Sequence, residues 1–155
     1  PPPAKTGAPD PGLDRAGFPT ERPDELIPWW ERVFTKINNN LDDIVLYEAN
    51  GVEDARTVVI AYGCTARSAI HAVQVARARR YKVGLVILKT LWPFHEALIE
   101  ELAAGAQRVI VPELNLGQLV LEVERVVGRR KVTRVNRMDG ELISPAQIVE
   151  AIEGR

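Results

Sequence analysis

Apolar residues come in short unbroken runs along most of this chain. Residues 57–62 (TVVIAY), 82–88 (KVGLVIL) and 108–112 (RVIVP) carry almost no polar alternation. Runs of that length flanked by turns predict strands buried on both faces, as in a parallel sheet covered by helices. Residues 131–136 (KVTRVN) alternate more, which predicts a strand nearer an edge. Between the runs the spacing changes to that of helices. Ala66, Ala69, Ile70, Val73 and Ala76 line one face of a helix predicted over 65–80. Further helices are predicted over 95–104, closed by Gly105, and over 117–127, with Gly128 past its end. Ser144-Pro145-Ala146-Gln147 supplies a serine cap, a first-turn proline and a third-position glutamine for a last helix. Ahead of these units, residues 44–48 (IVLYE) predict a short strand, the antiparallel member of the sheet. The expected fold is a three-layer α/β/α sandwich on a mostly parallel sheet of about five strands.

The first 23 residues break this regularity. Seven prolines and three glycines between Pro1 and Pro23 predict a linker or strap, with the folded domain over 24–155. From Asp24 to about Asn39, Leu26, Ile27, Trp30, Val33, Phe34 and Ile37 recur at helical spacing. The chain begins Pro1-Pro2-Pro3 and its single methionine is Met138, so it is expected to be a piece of a longer polypeptide.

Composition narrows the function classes. The chain has 155 residues, 46% hydrophobic and 26% charged, with a net charge of −1. That balance disfavours a dedicated nucleic-acid binder. The basic runs Arg77-Ala78-Arg79-Arg80 and Arg129-Arg130-Lys131 fall at predicted helix ends, where they complement the dipole. No apolar run approaches the roughly 18 residues that span a bilayer, and a cytoplasmic location is expected. Cys64 is the only cysteine, so this chain cannot form an internal disulfide or supply a CxxC-type metal or iron–sulfur site.

In open α/β sheets, ligands gather beyond the carboxyl ends of the strands. The loop 62–67 (YGCTAR) opens a helix, so Cys64, Thr65 and Arg67 are weak candidates for an anion site. The loop 89–95 carries Trp92 and Phe94, read either as a hydrophobic plug or as a docking surface. Around Gly117, the residues Glu113, Asn115 and Gln118 could bond a ligand, another domain's backbone, or their own helix. His71 and His95 lie on separate helices, His95 near an N-terminal turn. There is no Walker loop, GxGxxG, GxSxG or metal-ligand cluster, so no catalytic residue is assigned.

The segments LDDIVLYEANGVEDA, VVIAYGCTARSA, YKVGLVILKTLWPFHEALIEEL, RVIVPELNLGQLVLEVERV and DGELISPAQIVEAI stand in order over 36–152. Together they resemble the C-terminal domain of the α subunit of 2-oxoacid:ferredoxin oxidoreductases, the 2-oxoglutarate and pyruvate synthase family. That resemblance implies a transketolase C-terminal-like domain. It also implies a complete enzyme that converts a 2-oxoacid, most readily 2-oxoglutarate, and coenzyme A to an acyl-CoA, carbon dioxide and reduced ferredoxin. Such an enzyme uses thiamine diphosphate, magnesium and at least one [4Fe–4S] cluster. Asp139-Gly140 lacks the rest of the diphosphate–magnesium motif, so the resemblance implies a structural domain that is inactive alone. Its expected partners are the β subunit and an upstream pyrimidine-binding domain, with Trp92, Phe94, Glu113, Asn115 and Gln118 as contact candidates. Two other readings use the same residues: the equivalent domain of a transketolase or E1-type enzyme, which the PELNLGQ segment disfavours, and a free-standing anion- or nucleotide-binding module.

Overall fold

A computed structural model of the chain describes residues 12–14 and 18–155. Most of the Pro/Gly-rich start therefore lies outside the described residues. The chain divides into two compact units, Pro1–Leu41 and Asp42–Arg155.

In the first unit a long helix, α1 (Pro23–Asn38), starts with proline at its first position. It keeps its course past Pro28 and ends at Asn39, whose amide closes back on Thr35. None of its residues is buried. Ile27, Trp30 and Phe34 form an exposed apolar stripe, with Trp30 stacked on Phe34 at 5.9 Å and edge-on to Trp29 at 4.6 Å. The one-turn helix α2 (Leu41–Ile44) follows, and the boundary between the units falls inside it.

The second unit is an α/β sandwich. Its strands are β1 (Tyr47–Asn50), β2 (Thr57–Tyr62), β3 (Val83–Leu88), β4 (Arg108–Glu113) and β5 (Val132–Asn136). They form one sheet in the order β1-β3-β2-β4-β5, with β1 antiparallel and the other pairings parallel. The helices are α3 (Thr65–Ala78), α4 (Glu96–Ala103), α5 (Leu119–Val127) and α6 (Pro145–Glu153). Alternation along β2 sorts the core: Val59 and Ala61 pack towards α3 and α6, Val58 and Ile60 towards α4 and α5. All four are essentially inaccessible to solvent. The small residues Ala66, Ala69, Ala72 and Ala76 bring α3 close to the sheet.

Three differences from the expected elements have local causes. The antiparallel strand starts at Tyr47, because 41–44 forms a helical turn opened by Asp42 and Asp43. Residues 44–46 instead bond the segment after β3: Thr90 Oγ1 donates to the Ile44 carbonyl, and the Lys89 and Thr90 amides donate to that of Leu46. β4 continues through Pro112 to Glu113, although proline lacks a donor. The β2–β4 ladder ends at Ile110, and beyond it β4 pairs with β5 alone. Finally, Arg129–Lys131 forms a 3-10 turn ahead of β5. The capping box at Ser144 and Gln147 forms as the sequence predicts.

Candidate functional site

Four loops project from the carboxyl end of the parallel strands, and the one after β4 is the most tightly organised. Its centre is Glu113, the last residue of β4, which is fully buried. One carboxylate oxygen accepts from the Val120 amide at 3.0 Å, the other from the Leu119 amide at 3.0 Å and the Tyr62 hydroxyl at 3.3 Å. Asn115 takes the two preceding amides: its Oδ1 accepts from Gly117 at 2.7 Å and Gln118 at 3.0 Å. Four successive N–H groups opening α5 are thus satisfied by two side chains, with a negative charge at the positive end of the helix dipole.

Tyr62, at the end of β2, joins two strands to this cap. Its hydroxyl donates to Glu113 and accepts from Asn115 Nδ2 at 2.8 Å. Burial raises the Tyr62 phenol above its ordinary pKa, and the neighbouring Glu113 charge pushes the same way. Asn136, ending β5, donates to the Asn115 carbonyl at 2.9 Å. Gly117 is at φ +104, and an added Cβ would stand 2.9 Å from Val120 Cγ1, so this turn needs glycine. Of the residues singled out from the sequence, the structure joins Glu113 and Asn115. It leaves Gln118 exposed at the N-cap of α5. Tyr62 was not singled out. An aromatic hydroxyl ending an apolar strand was the available signal, because a buried Tyr O–H needs a partner.

The other candidates lie around this network. Cys64 is exposed at the N-cap of α3. Thr65 is buried and its hydroxyl donates inward to the Tyr62 carbonyl at 2.7 Å, while Arg67 is exposed. Trp92 is 69% exposed. Phe94 is half-buried and packs on the α4/α5 side of the core. His95 caps α4, its Nδ1 accepting from the Leu98 amide at 3.1 Å, and His71 is exposed on α3. Large apolar side chains stand out on the outer rim: besides Trp92, Leu116 is 76% exposed and Met138 and Leu142 are more than half exposed.

This network holds the loop and caps α5. Among the described residues no group of His, Cys, Asp and Glu is arranged to hold a metal ion. One cysteine cannot ligate a four-thiolate cluster. The described residues of this chain therefore do not fit a diphosphate–magnesium pair, and its one cysteine does not fit an iron–sulfur cluster.

Residues 55–148 match the family model of the pyruvate:ferredoxin oxidoreductase core domain II. This chain belongs to that family. Among curated relatives, the 2-oxoglutarate synthase subunit KorA of Methanocaldococcus jannaschii is 36% identical over 142 residues, 91% of this chain and 38% of the relative. The ketoisovalerate oxidoreductase subunit VorB of Methanothermobacter marburgensis is 44% identical over 108 residues, 70% of this chain and 31% of the relative. The chain thus spans only about a third of the length of these relatives, 38% of one and 31% of the other. A solved 2-oxoglutarate:ferredoxin oxidoreductase from Magnetococcus marinus, with 2-oxoglutarate, coenzyme A and succinyl-CoA bound, superposes with a TM-score of 0.84 at 26% identity, covering 99% of this chain and 27% of that one. A split-gene transketolase shares the fold, with a TM-score of 0.58 at 20% identity over 69% of this chain.

Proposed function

We propose that this domain is a structural and subunit-contact part of a 2-oxoacid:ferredoxin oxidoreductase. The complete enzyme oxidatively decarboxylates a 2-oxoacid with coenzyme A, giving an acyl-CoA, carbon dioxide and reduced ferredoxin. The family match over 55–148 carries this reading. It is supported by the likeness to a KorA subunit along 91% of the chain. That likeness favours 2-oxoglutarate as the substrate, whereas the likeness to VorB favours a branched 2-oxoacid over a shorter stretch.

In this reading thiamine diphosphate, magnesium and the [4Fe–4S] cluster belong to other regions and subunits. The domain's own contribution is the carboxyl end of its sheet. The bonds of Glu113, Asn115 and Tyr62 fix the β4–α5 loop, and Leu91, Trp92, Leu116 and Met138 give that end an apolar surface of the kind that partner subunits cover. Cys64, Thr65 and Arg67 flank it as the weaker anion-site candidates. No helix among the described residues is long and apolar enough to cross a membrane, in keeping with a soluble complex.

The test is to express the full-length parent protein with its β subunit and assay coenzyme A-dependent reduction of methyl viologen by 2-oxoglutarate, pyruvate and 2-oxoisovalerate. Turnover with one 2-oxoacid supports the reading and names the substrate. A complex that reduces the dye with none of them, although it carries thiamine diphosphate and a cluster, refutes it.

A further inference from the structure

The opposite end of the sheet carries a different surface. Backbone bonds set Lys82, ahead of β3, beside Arg56, ahead of β2: the Arg56 and Thr57 amides both donate to the Lys82 carbonyl. The Gln107 amide in turn donates to the Arg56 carbonyl, which brings Arg108 alongside, and Lys131 immediately precedes the first paired residue of β5. Lys82, Arg56 and Lys131 therefore stand across four adjacent strands, about 14 Å from end to end at the usual strand spacing, and Arg108 between them turns its guanidinium to the Ile152 carbonyl. Arg80 extends this row at one end, Arg129 and Arg130 at the other.

Six of these cations, Arg56, Arg80, Lys82, Arg129, Arg130 and Lys131, are exposed, and none makes an ion pair among the described residues. Arg77 and Arg79 are paired with Asp54 and Glu153. Glu53, Glu101 and Glu150 share this end without pairing, and Asp54 and Glu124 attract Lys82 and Arg129 from a distance without forming ion pairs with them, so cations still prevail. Helix dipoles account for part of the pattern, since Arg129 and Arg130 follow α5 and Arg80 follows α3. They do not account for Arg56 or Lys82, which follow turns. Arg80 also takes φ +67 just past the end of α3, a position where glycine is favoured and a side chain is strained. The chain keeps a cation where the backbone calls for glycine.

We infer that this end of the sheet is an electrostatic docking face for an acidic protein that associates transiently. Large apolar side chains are almost lacking here, Tyr81 being the one exposed, so a permanent subunit would find little to bury. A row of unpaired charges instead steers encounter and sets salt dependence. The row is extended and unenclosed, which suits a protein surface better than a small anion. Resting on the function proposed above, the partner is the electron carrier ferredoxin.

The experiment uses the assembled full-length enzyme, assayed with 2-oxoglutarate and coenzyme A against purified ferredoxin and, separately, methyl viologen. Arg56→Glu with Lys82→Glu, and Arg130→Glu with Lys131→Glu, are expected to raise the KM for ferredoxin about tenfold at low salt. They should flatten its rise with ionic strength and leave methyl viologen turnover unchanged. Arg80→Gly relieves the backbone, so it should raise thermal stability and still raise the KM for ferredoxin. Unchanged KM and salt slope in all three variants, with dye turnover intact, would overturn docking and leave the functional proposal standing. Free pyrophosphate that inhibits far more strongly than sodium chloride of equal ionic strength would assign the row to a small anion and overturn it too. A wild-type enzyme that reduces neither acceptor overturns the functional proposal and this one together.

Discussion

The two ends of one sheet are built by opposite means. At the carboxyl end polar groups turn inward: Glu113, Asn115 and Tyr62 satisfy one another and the opening amides of α5, while Trp92, Leu116, Met138 and Leu142 face out. At the amino end the outward groups are charged. The inward fastenings there include Arg108, which donates to the Ile152 carbonyl, and above all Arg77, which donates to the carbonyls of Val83 and Gly51 at 2.6 Å and to Asp54 at 2.9 Å. Each end thus has an internal tie and a separate outer surface. Stability and association should separate accordingly: substitutions in the ties unfold the domain, whereas substitutions on the surfaces change what binds it.

The largest effect is expected at Glu113. Replacing it with alanine leaves two buried amides and the Tyr62 hydroxyl without their acceptor, which should cost about 3 kcal/mol. The urea midpoint of the purified chain reads this directly. Glu113→Gln should recover only part, since its amide nitrogen would confront one of the donors. Trp92→Ala sharpens the contrast from the other side. Its ring is mostly in solvent, so the chain should lose less than about 0.5 kcal/mol. Assembly with the partner subunits should nonetheless weaken by about 2 kcal/mol, roughly thirty-fold, as measured by sedimentation of the complex. Equal losses in both measurements would show that the loop after β3 is a core plug.

The fold could be read from the chain because its signals are local and repeated. Each parallel strand is an apolar run and each helix a small-residue or aliphatic face, so the mostly parallel sheet and its antiparallel first strand followed from the runs and their connection lengths, whereas the strand order came only with the structure. The ties were harder to see. Glu113 stands in PELNLG, which reads as a polar loop, and only the β4–β5 register carries it inside the sheet. Arg77 looked like one member of a solvated basic run, yet its guanidinium is held by backbone 26 residues away in sequence. Long-range bonds between polar groups leave no periodicity, whereas buried faces do. The cationic row shows the same limit: its members are scattered from residue 56 to 131 and become neighbours only through strand register.

At the amino end, Gly51→Ala tests the Arg77 tie. Gly51 sits at φ +62, and an added Cβ would fall 2.3 Å from Arg77 Nη2. Left-handed strain and displacement of the guanidinium together should cost about 2 kcal/mol, seen as a lower urea midpoint. Arg77→Ala in the same background should add little if the two changes break one tie, and a full second loss would show that they act independently.

The smallest effect is expected at Tyr62, and pH sets its sign. Burial and the Glu113 charge hold the Tyr62 phenol above its ordinary value, so the folded chain keeps this proton more tightly than the unfolded one. Its contribution to stability is therefore complete below the unfolded value of about 10 and is lost as pH rises through the folded value. Tyr62→Phe removes one hydroxyl from the network and should cost about 1 kcal/mol at neutral pH. Above pH 10 the difference should shrink, because the wild type then loses what the variant never had. Urea midpoints of both proteins between pH 8 and about 11 decide the matter: parallel curves would mean that Tyr62 titrates alike in the folded and unfolded chains, and that the hydroxyl is only loosely held by Glu113.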